Sequence, residues 1–172
     1  TGAHVLSEVS PVPKQLIEEC DGIFVTSGEP SYNRRLIDTS HAAGKEILFD
    51  VGAYQMTESY FRAVLPKCNM ILGNRFEIEL ARQALGMIHL SEFFESSSDL
   101  DALIVMDKTM GLVDVFQRDK RKQVVGPVNI PNRVSSVGCC DGIAAAVLAF
   151  HITGYDLLTA VKAGLVECAS IW

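Results

Sequence analysis

The residues best placed for chemistry are Gly138-Cys139-Cys140-Asp141, which follow a loop and open a long apolar helical stretch. The first N–H groups of a helix lack intrahelical partners, and the helix dipole adds partial positive charge, so such an end accepts an anion. An aspartate there is ionised and stands beside any phosphate bound at that end. It also reads as an ordinary N-terminal capping acid, and local sequence does not separate the two roles. The two adjacent thiols admit a redox reading, because a helix N-terminus favours thiolate. A disulfide between neighbours is strained, and buried small residues explain the pair equally simply.

Alternating elements must position these groups. Residues 11–19 read as a short helix with proline in its first turn, and 22–26 (GIFVT) as a buried strand. Residues 31–43 form an amphipathic helix with Leu36 and Ile37 inward, Arg34, Arg35 and Asp38 outward, and Gly44 as its terminating glycine. A strand at 46–49 ends at Asp50, and a helix at 57–65 stops at Pro66. A strand at 70–72 ends in Gly73-Asn74, and the helix at 76–85 closes at Gly86. A further helix at 90–98 and a strand at 103–106 complete the series.

The rhythm then changes. Residues 112–116 and 123–125 predict a β-hairpin around a charged turn, 118–122, expected to be solvated. After a loop with Pro127 and Pro131 comes the helix 138–150, apolar nearly all round and therefore expected to be buried on most sides. Gly154 ends it, and Asp156 caps a last helix. Repeated β-α units predict an α/β fold, a mostly parallel sheet flanked by helices with a hairpin before the last two helices. Ligands of such sheets bind outside the strands' carboxyl ends. That rule selects Ser27-Gly28, Asp50, Gly73-Asn74 and Asp107-Lys108.

Several of these segments together resemble one family. The run Val134-Ser135-Ser136-Val137-Gly138-Cys139-Cys140-Asp141-Gly142 is similar to the ribokinase-like (PfkB) signature D-T-x-G-A-G-D-x, and Asn74-Arg75-Phe76-Glu77 to that family's N-x-x-E motif. The order of strand, Asp50, helix, Pro66, strand, Asn74, later strand, Gly111 and hairpin matches as well. The resemblance runs from about Val9 to the last residue, but covers only the second half of the family's fold. It implies a single part-domain, residues 1–172, that binds the nucleotide, without the first half that supplies the acceptor pocket, lid sheet and a Gly-Gly motif.

By position, the resemblance makes Asp141 the catalytic base that takes the acceptor's proton. The backbone N–H groups of Gly138, Cys139 and Cys140 become the anion hole. Asn74 and Glu77 resemble the pair that organises magnesium through its waters, consistent with that ion's preference for oxygen and retained water. A dipole-favoured first-turn acid is the structural alternative for Glu77. Leu165 and Cys168, on one face of the last helix, resemble positions beside adenine, with core packing as the alternative. ATP and Mg2+ are the cofactors implied, and a sugar, sugar phosphate or nucleoside the acceptor.

The departures from the family pattern are specific. Cys140 stands where the signature has glycine, so a side chain there would crowd the phosphate or meet a glycine-only backbone angle. Ser135-Ser136 replace Asp-Thr. Met106-Asp107-Lys108 replace T-x-G, leaving Lys108 as a substitute cation or a solvated one. The D-x-N-x-R pattern keeps Asp50 but has Gly52 and Tyr54 in its other places.

Composition removes other classes. With 15 Lys+Arg against 21 Asp+Glu, the net charge of −6 argues against non-specific nucleic-acid binding. No apolar run reaches the length of a membrane span, and no signal peptide is present. The chain begins at Thr1 without an initiator Met, which reads as processing or cleavage. Five scattered cysteines fit neither a disulfide framework nor a zinc pattern, and fit a reducing cytoplasm. The four histidines lack metal-ligand spacing. Three readings follow: an ATP-dependent kinase or a fragment of one, a kinase-like assembly subunit that has lost catalysis, and a thiol sensor at Cys139-Cys140. An unpaired sheet edge where the first half would continue predicts self-association or association with that half.

Overall fold

The strand at 46–50 shows why the sheet is central. Ile47, Leu48 and Phe49 are all fully buried, so successive side chains meet cover on both faces. The computed structural model describes residues 10–52, 57–107, 111–126 and 139–171, the side chains of 139 and 167–171 excepted. Its elements are α1 Lys14–Glu19, β1 Gly22–Val25, α2 Pro30–Ala42, β2 Glu46–Asp50, α3 Glu58–Val64, β3 Met70–Asn74 and α4 Arg75–Ala84. After these come α5 Glu92–Ser96, β4 Ala102–Asp107, β5 Leu112–Gln117, β6 Gln123–Val125, α6 Cys139–Ile152 and α7 Leu157–Ile171.

The six strands lie side by side in chain order. β1 to β4 are parallel, and β5 and β6 return antiparallel as the expected hairpin. Right-handed crossovers between successive parallel neighbours deliver every connecting helix to one face. Accordingly Ile37 of α2, Phe61 of α3, Ile78 of α4 and Phe93 of α5 pack with Phe49, Ile71 and Leu103. The alternate residues Leu48, Met70, Leu72 and Ile104 face α6 and α7 through Ala144, Val147, Ala160 and Val161. The α/β architecture is therefore a mostly parallel sheet between two helical layers.

Boundaries differ from expectation for local reasons. α1 begins at Lys14 because its N-cap residue Pro13 has ψ 75°, outside the helical region, and Val12, which precedes that proline, is disfavoured in the α region. Pro66 does not simply stop α3, since the chain runs on into a 3-10 turn at Leu65–Lys67 that contains it. α5 is shorter than 90–98 because the Glu92 carboxylate caps the preceding turn, accepting from Ile88 N and His89 N. Gly44 ends α2 as expected, at φ +66°.

One expectation holds in outline and one is corrected. α6 is buried or half-buried on most sides but not all round: Ile143, Ala144, Val147 and Leu148 are buried, and Asp141, Ala145, Ala149 and Ile152 form one exposed stripe. Alanine keeps a helix apolar in pattern while offering little area to bury. The turn at 118–122 is not wholly solvated either. Arg118 folds back and donates to the carbonyls of Phe94, Ser97, Ser98 and Leu100, fastening the hairpin to the α5 loop.

Candidate functional site

The carboxyl ends of the parallel strands gather the polar residues. β1 ends near Ser27, β2 at Asp50, β3 at Asn74 and β4 at Asp107. Ser27 and Gly52 are pressed together. Gly52 has φ +50°, and a Cβ added there would lie 2.7 Å from Ser27 Cβ. Only glycine meets both demands, which explains the residue at that place in the D-x-N-x-R pattern. Asp50 is buried, and its Oδ1 faces Gly52 N at 3.4 Å. Tyr54 lies outside the described residues.

α6 runs opposite to the strands. Its last turn carries His151, whose Nε2 lies 3.5 Å from Oε1 of Glu46, the first residue of β2. Its first turn, with Asp141 exposed to solvent, therefore stands at the strands' carboxyl end. The helix N-terminus expected to accept an anion points toward the end the sheet topology selects. Gly138 and the Cys139 side chain lie outside the described residues. Cys140 takes ordinary helical backbone and packs partly against the α6–α7 core. The described part of the turn thus needs no glycine at 140, contrary to the expectation of a glycine-only angle.

Asn74 and Glu77 form a complete capping box at the start of α4. Asn74 Oδ1 accepts from Glu77 N at 3.0 Å, and Glu77 Oε2 accepts from Asn74 N at 2.8 Å. The box occupies one oxygen of each side chain and leaves Glu77 Oε1 outside it. Among the described residues no three or more His, Cys, Asp or Glu gather to hold a metal ion. Among the described residues the donors are compatible with a magnesium held mainly by phosphate and water and do not form an all-protein cage.

Arg75, inside the same motif, reaches Asp114 on β5 at 3.1 Å and Asp107 at 3.9 Å. Lys122 lies 3.4 Å from the same Asp114 oxygen. Asp114 is buried, so these cations compensate a carboxylate that desolvation would otherwise penalise. They also tie the β3–α4 corner to the hairpin. Sequence reasoning missed this link, although an aspartate inside an apolar strand is a signal for a cationic partner. It missed a second cluster as well. Asn33 is buried and donates to Thr26 O at 2.9 Å. Tyr60 is buried with no hydrogen-bond partner for its hydroxyl among the described residues. Burial pushes its pKa up to about 12, eased by the Asn33 side chain beside it.

Lys108 lies outside the described residues, as does the Cys168 side chain. Leu165 is 8% exposed and packs into the α6–α7 core. Beneath it, Gly164 lets α7 approach α6, since a Cβ there would sit 3.0 Å from Ile143 O. The structure thus brings Asp141, Asn74 and Glu77 to one end of the sheet. Of the residues expected to form an anion hole, it describes Cys140 and the backbone of Cys139.

No protein-family model matches the sequence, and no curated protein matches it. Solved structures do match. One is a nucleoside kinase from Methanocaldococcus jannaschii, an archaeal member of the ribokinase family, with TM-score 0.77, 20% identity, and coverage of 91% of this chain and 53% of that one. Burkholderia thailandensis nucleoside kinase in complex with ADP-inosine gives TM-score 0.79 at 21% identity, over 97% of this chain and 50% of that one. Thermotoga maritima ribokinase gives 0.75 at 16% identity, over 95% and 53%. The chain has a partial ribokinase-like fold, and it spans about half the length of these structures.

Proposed function

We propose that this chain, with its partial ribokinase-like fold, is the nucleotide-binding part of a small-molecule kinase that moves the γ-phosphoryl group of ATP to a hydroxyl of a sugar or nucleoside. One observation carries the reading: the α6 N-terminus with Asp141 stands at the same end of the sheet as the Asn74–Glu77 corner. Phosphoryl transfer is chiefly positioning and charge neutralisation. In this reading the N–H groups of Gly138, Cys139 and Cys140 hold the phosphoryl oxygens. Asp141 accepts the proton of the attacking hydroxyl. Asn74 fixes the start of α4, so that Glu77 Oε1 is held where it can accept from a metal-bound water. Magnesium, when bound, supplies neutralisation of the phosphate charge. Lys108 adds a cation near the phosphates, and Leu165 with Cys168 borders the base.

The acceptor pocket lies in polypeptide beyond this chain, either the other half of the fold or a second copy. Support comes from β1, which pairs with β2 and has Ile23 and Phe24 only half-buried. Cys20 and Cys68 form no disulfide, which fits a cytoplasmic setting. No described helix is long and apolar enough to cross a membrane.

A second reading is a kinase-derived binding subunit without catalysis. The capping box favours it, because the box accounts for Asn74 and Glu77 without any metal. Calorimetric titration with ATP, with and without magnesium, separates the two. Saturable magnesium-dependent binding that weakens in Asn74→Ala supports the kinase reading, and no binding supports the subunit.

A further inference from the structure

A buried carboxylate in the middle of β5 needs a reason. Val113 and Val115, on either side of Asp114, pack toward α6 and α7. Asp114 therefore points to the opposite face, the one that carries α2 to α5, beside its cross-strand neighbour Val105. A buried ion pair is often no more stabilising than well-packed apolar residues of similar volume, so stability alone does not call for an aspartate there. Its Oδ2 accepts from Arg75 Nη2 at 3.1 Å and from Lys122 Nζ at 3.4 Å, and Arg75 Nη2 stands 3.9 Å from Asp107 Oδ2. Among the described residues, Arg75 and Lys122 face Asp107 and Asp114, so the cluster balances and offers no surplus charge to a phosphate. What it fixes is geometry.

Arg75 is the first residue of α4 and lies between Asn74 and Glu77. The capping box sets those two side chains relative to each other, but it lies within one turn and does not hold that turn to the sheet. Ile78 and Arg75 do. Beneath the turn, Ile78 is buried and lies on Gly73, where an added Cβ would come 3.1 Å from its Cδ1. At the side, Arg75 reaches from the end of β3 past β4 to Asp114 on β5. A helix start resting on Ile78 alone can turn about that point, and the second contact stops it. Lys122 stays on Asp114 when Arg75 is removed, so the loss of Arg75 leaves no buried charge unpaired.

We propose that Arg75, held by Asp114, is a positioning residue of the nucleotide end: the pair fixes the first turn of α4 across the sheet and so sets where Glu77 meets a metal-bound water. The proposal rests on the magnesium role given to Glu77 above. Arg75 acts through Glu77 and touches neither nucleotide nor metal. Its removal weakens magnesium-supported binding while the fold stays in place. It has no effect where the Glu77 carboxylate is already gone.

The test is calorimetric titration with ATP over a range of magnesium concentrations. It compares the wild type, Arg75→Met, Arg75→Lys, Glu77→Gln and the double variant Arg75→Met/Glu77→Gln. Arg75→Met is expected to raise the magnesium concentration for half-maximal binding about tenfold, the low end for losing an outer-shell partner. Its urea midpoint stays close to that of the wild type, because the Arg75 side chain is 65% exposed. Arg75→Lys recovers part of the loss, since an ammonium keeps one contact with Asp114. The double variant binds as Glu77→Gln does, because residues that act through one contact are not additive. Unchanged magnesium dependence in Arg75→Met, a loss that follows its urea midpoint, or a double variant weaker than Glu77→Gln would overturn this proposal alone. No binding by the wild type would overturn the nucleotide reading on which it stands.

Discussion

Asn74 and Glu77 satisfy one another's backbone: each side chain accepts the other's N–H, at 3.0 and 2.8 Å. The pair is thus a structural device before it is anything else, and stability and function are separable by substitution. Asn74→Ala removes the cap and is expected to cost about 1 kcal/mol. Glu77→Gln keeps an acceptor at the same position of the box and is expected to cost a few tenths of a kcal/mol at most. Urea unfolding of the two variants checks this order. Equal losses would show that the Glu77 charge itself, acting on the helix dipole, carries the stability.

Arg118 is expected to be the costliest exposed-loop residue to replace. Its guanidinium serves the carbonyls of Phe94, Ser97, Ser98 and Leu100 together. Arg118→Ala should lower unfolding free energy by about 2–4 kcal/mol. Arg118→Lys should recover little, because an ammonium cannot span the same set. Chemical denaturation of both variants tests this, and a loss under about 0.5 kcal/mol, ordinary for a surface change, would remove the clamp from the account.

Gly52→Ala places a Cβ at φ +50° and 2.7 Å from Ser27 Cβ. The contact is with a short side chain on a neighbouring strand end, so it cannot be relieved by swinging a long group aside. A loss of about 1–3 kcal/mol is expected. Since both residues belong to the carboxyl ends of β1 and β2, the same substitution should shift amide signals of residues 26–28 and 50–52, with β5 and β6 unaffected. Unfolding curves and amide spectra read the two effects.

Glu46 should make stability fall as pH rises. Burial holds its pKa above the ordinary 4.5; His151 lowers it again in part, and Asp101 raises it. The folded state therefore keeps this proton more tightly than the unfolded chain. The stability this contributes is complete below about 4.5 and is lost as pH climbs through the folded value. Glu46→Gln removes the ionisation. It should be more stable than the wild type at pH 7, with the difference shrinking toward pH 4. Thermal unfolding across that range measures it, and a constant difference would contradict the assignment.

The layered sheet was readable from the sequence because its strands are short continuous apolar runs. Ile47-Leu48-Phe49 and Met70-Ile71-Leu72 are buried on both faces, and that shows as absence of alternation. Helix ends were readable where glycine or a capping acid marks them, as at Gly44 and Asp156, which accepts from Thr159 N at 3.1 Å. Long-range polar partners were not. Arg118 looks like one cation in a charged turn, and only the fold brings four carbonyls to it. Asp114 and Arg75 lie far apart in the chain, and the hairpin register alone places them 3.1 Å apart. The Asn74–Glu77 spacing was visible, but one spacing serves a capping box and a magnesium contact alike, and the geometry shows the first.

The most direct test of the central claim is calorimetric titration of the wild type and Glu77→Gln with ATP in the presence of magnesium. Glu77→Gln keeps the helix start intact, so a change in binding reports the carboxylate and not the fold. The account predicts saturable, magnesium-dependent binding to the wild type. In Glu77→Gln the magnesium dependence should weaken about tenfold or more, the scale of losing an outer-shell metal partner, with unfolding free energy nearly unchanged. Identical binding in both proteins, or none in the wild type, would contradict it.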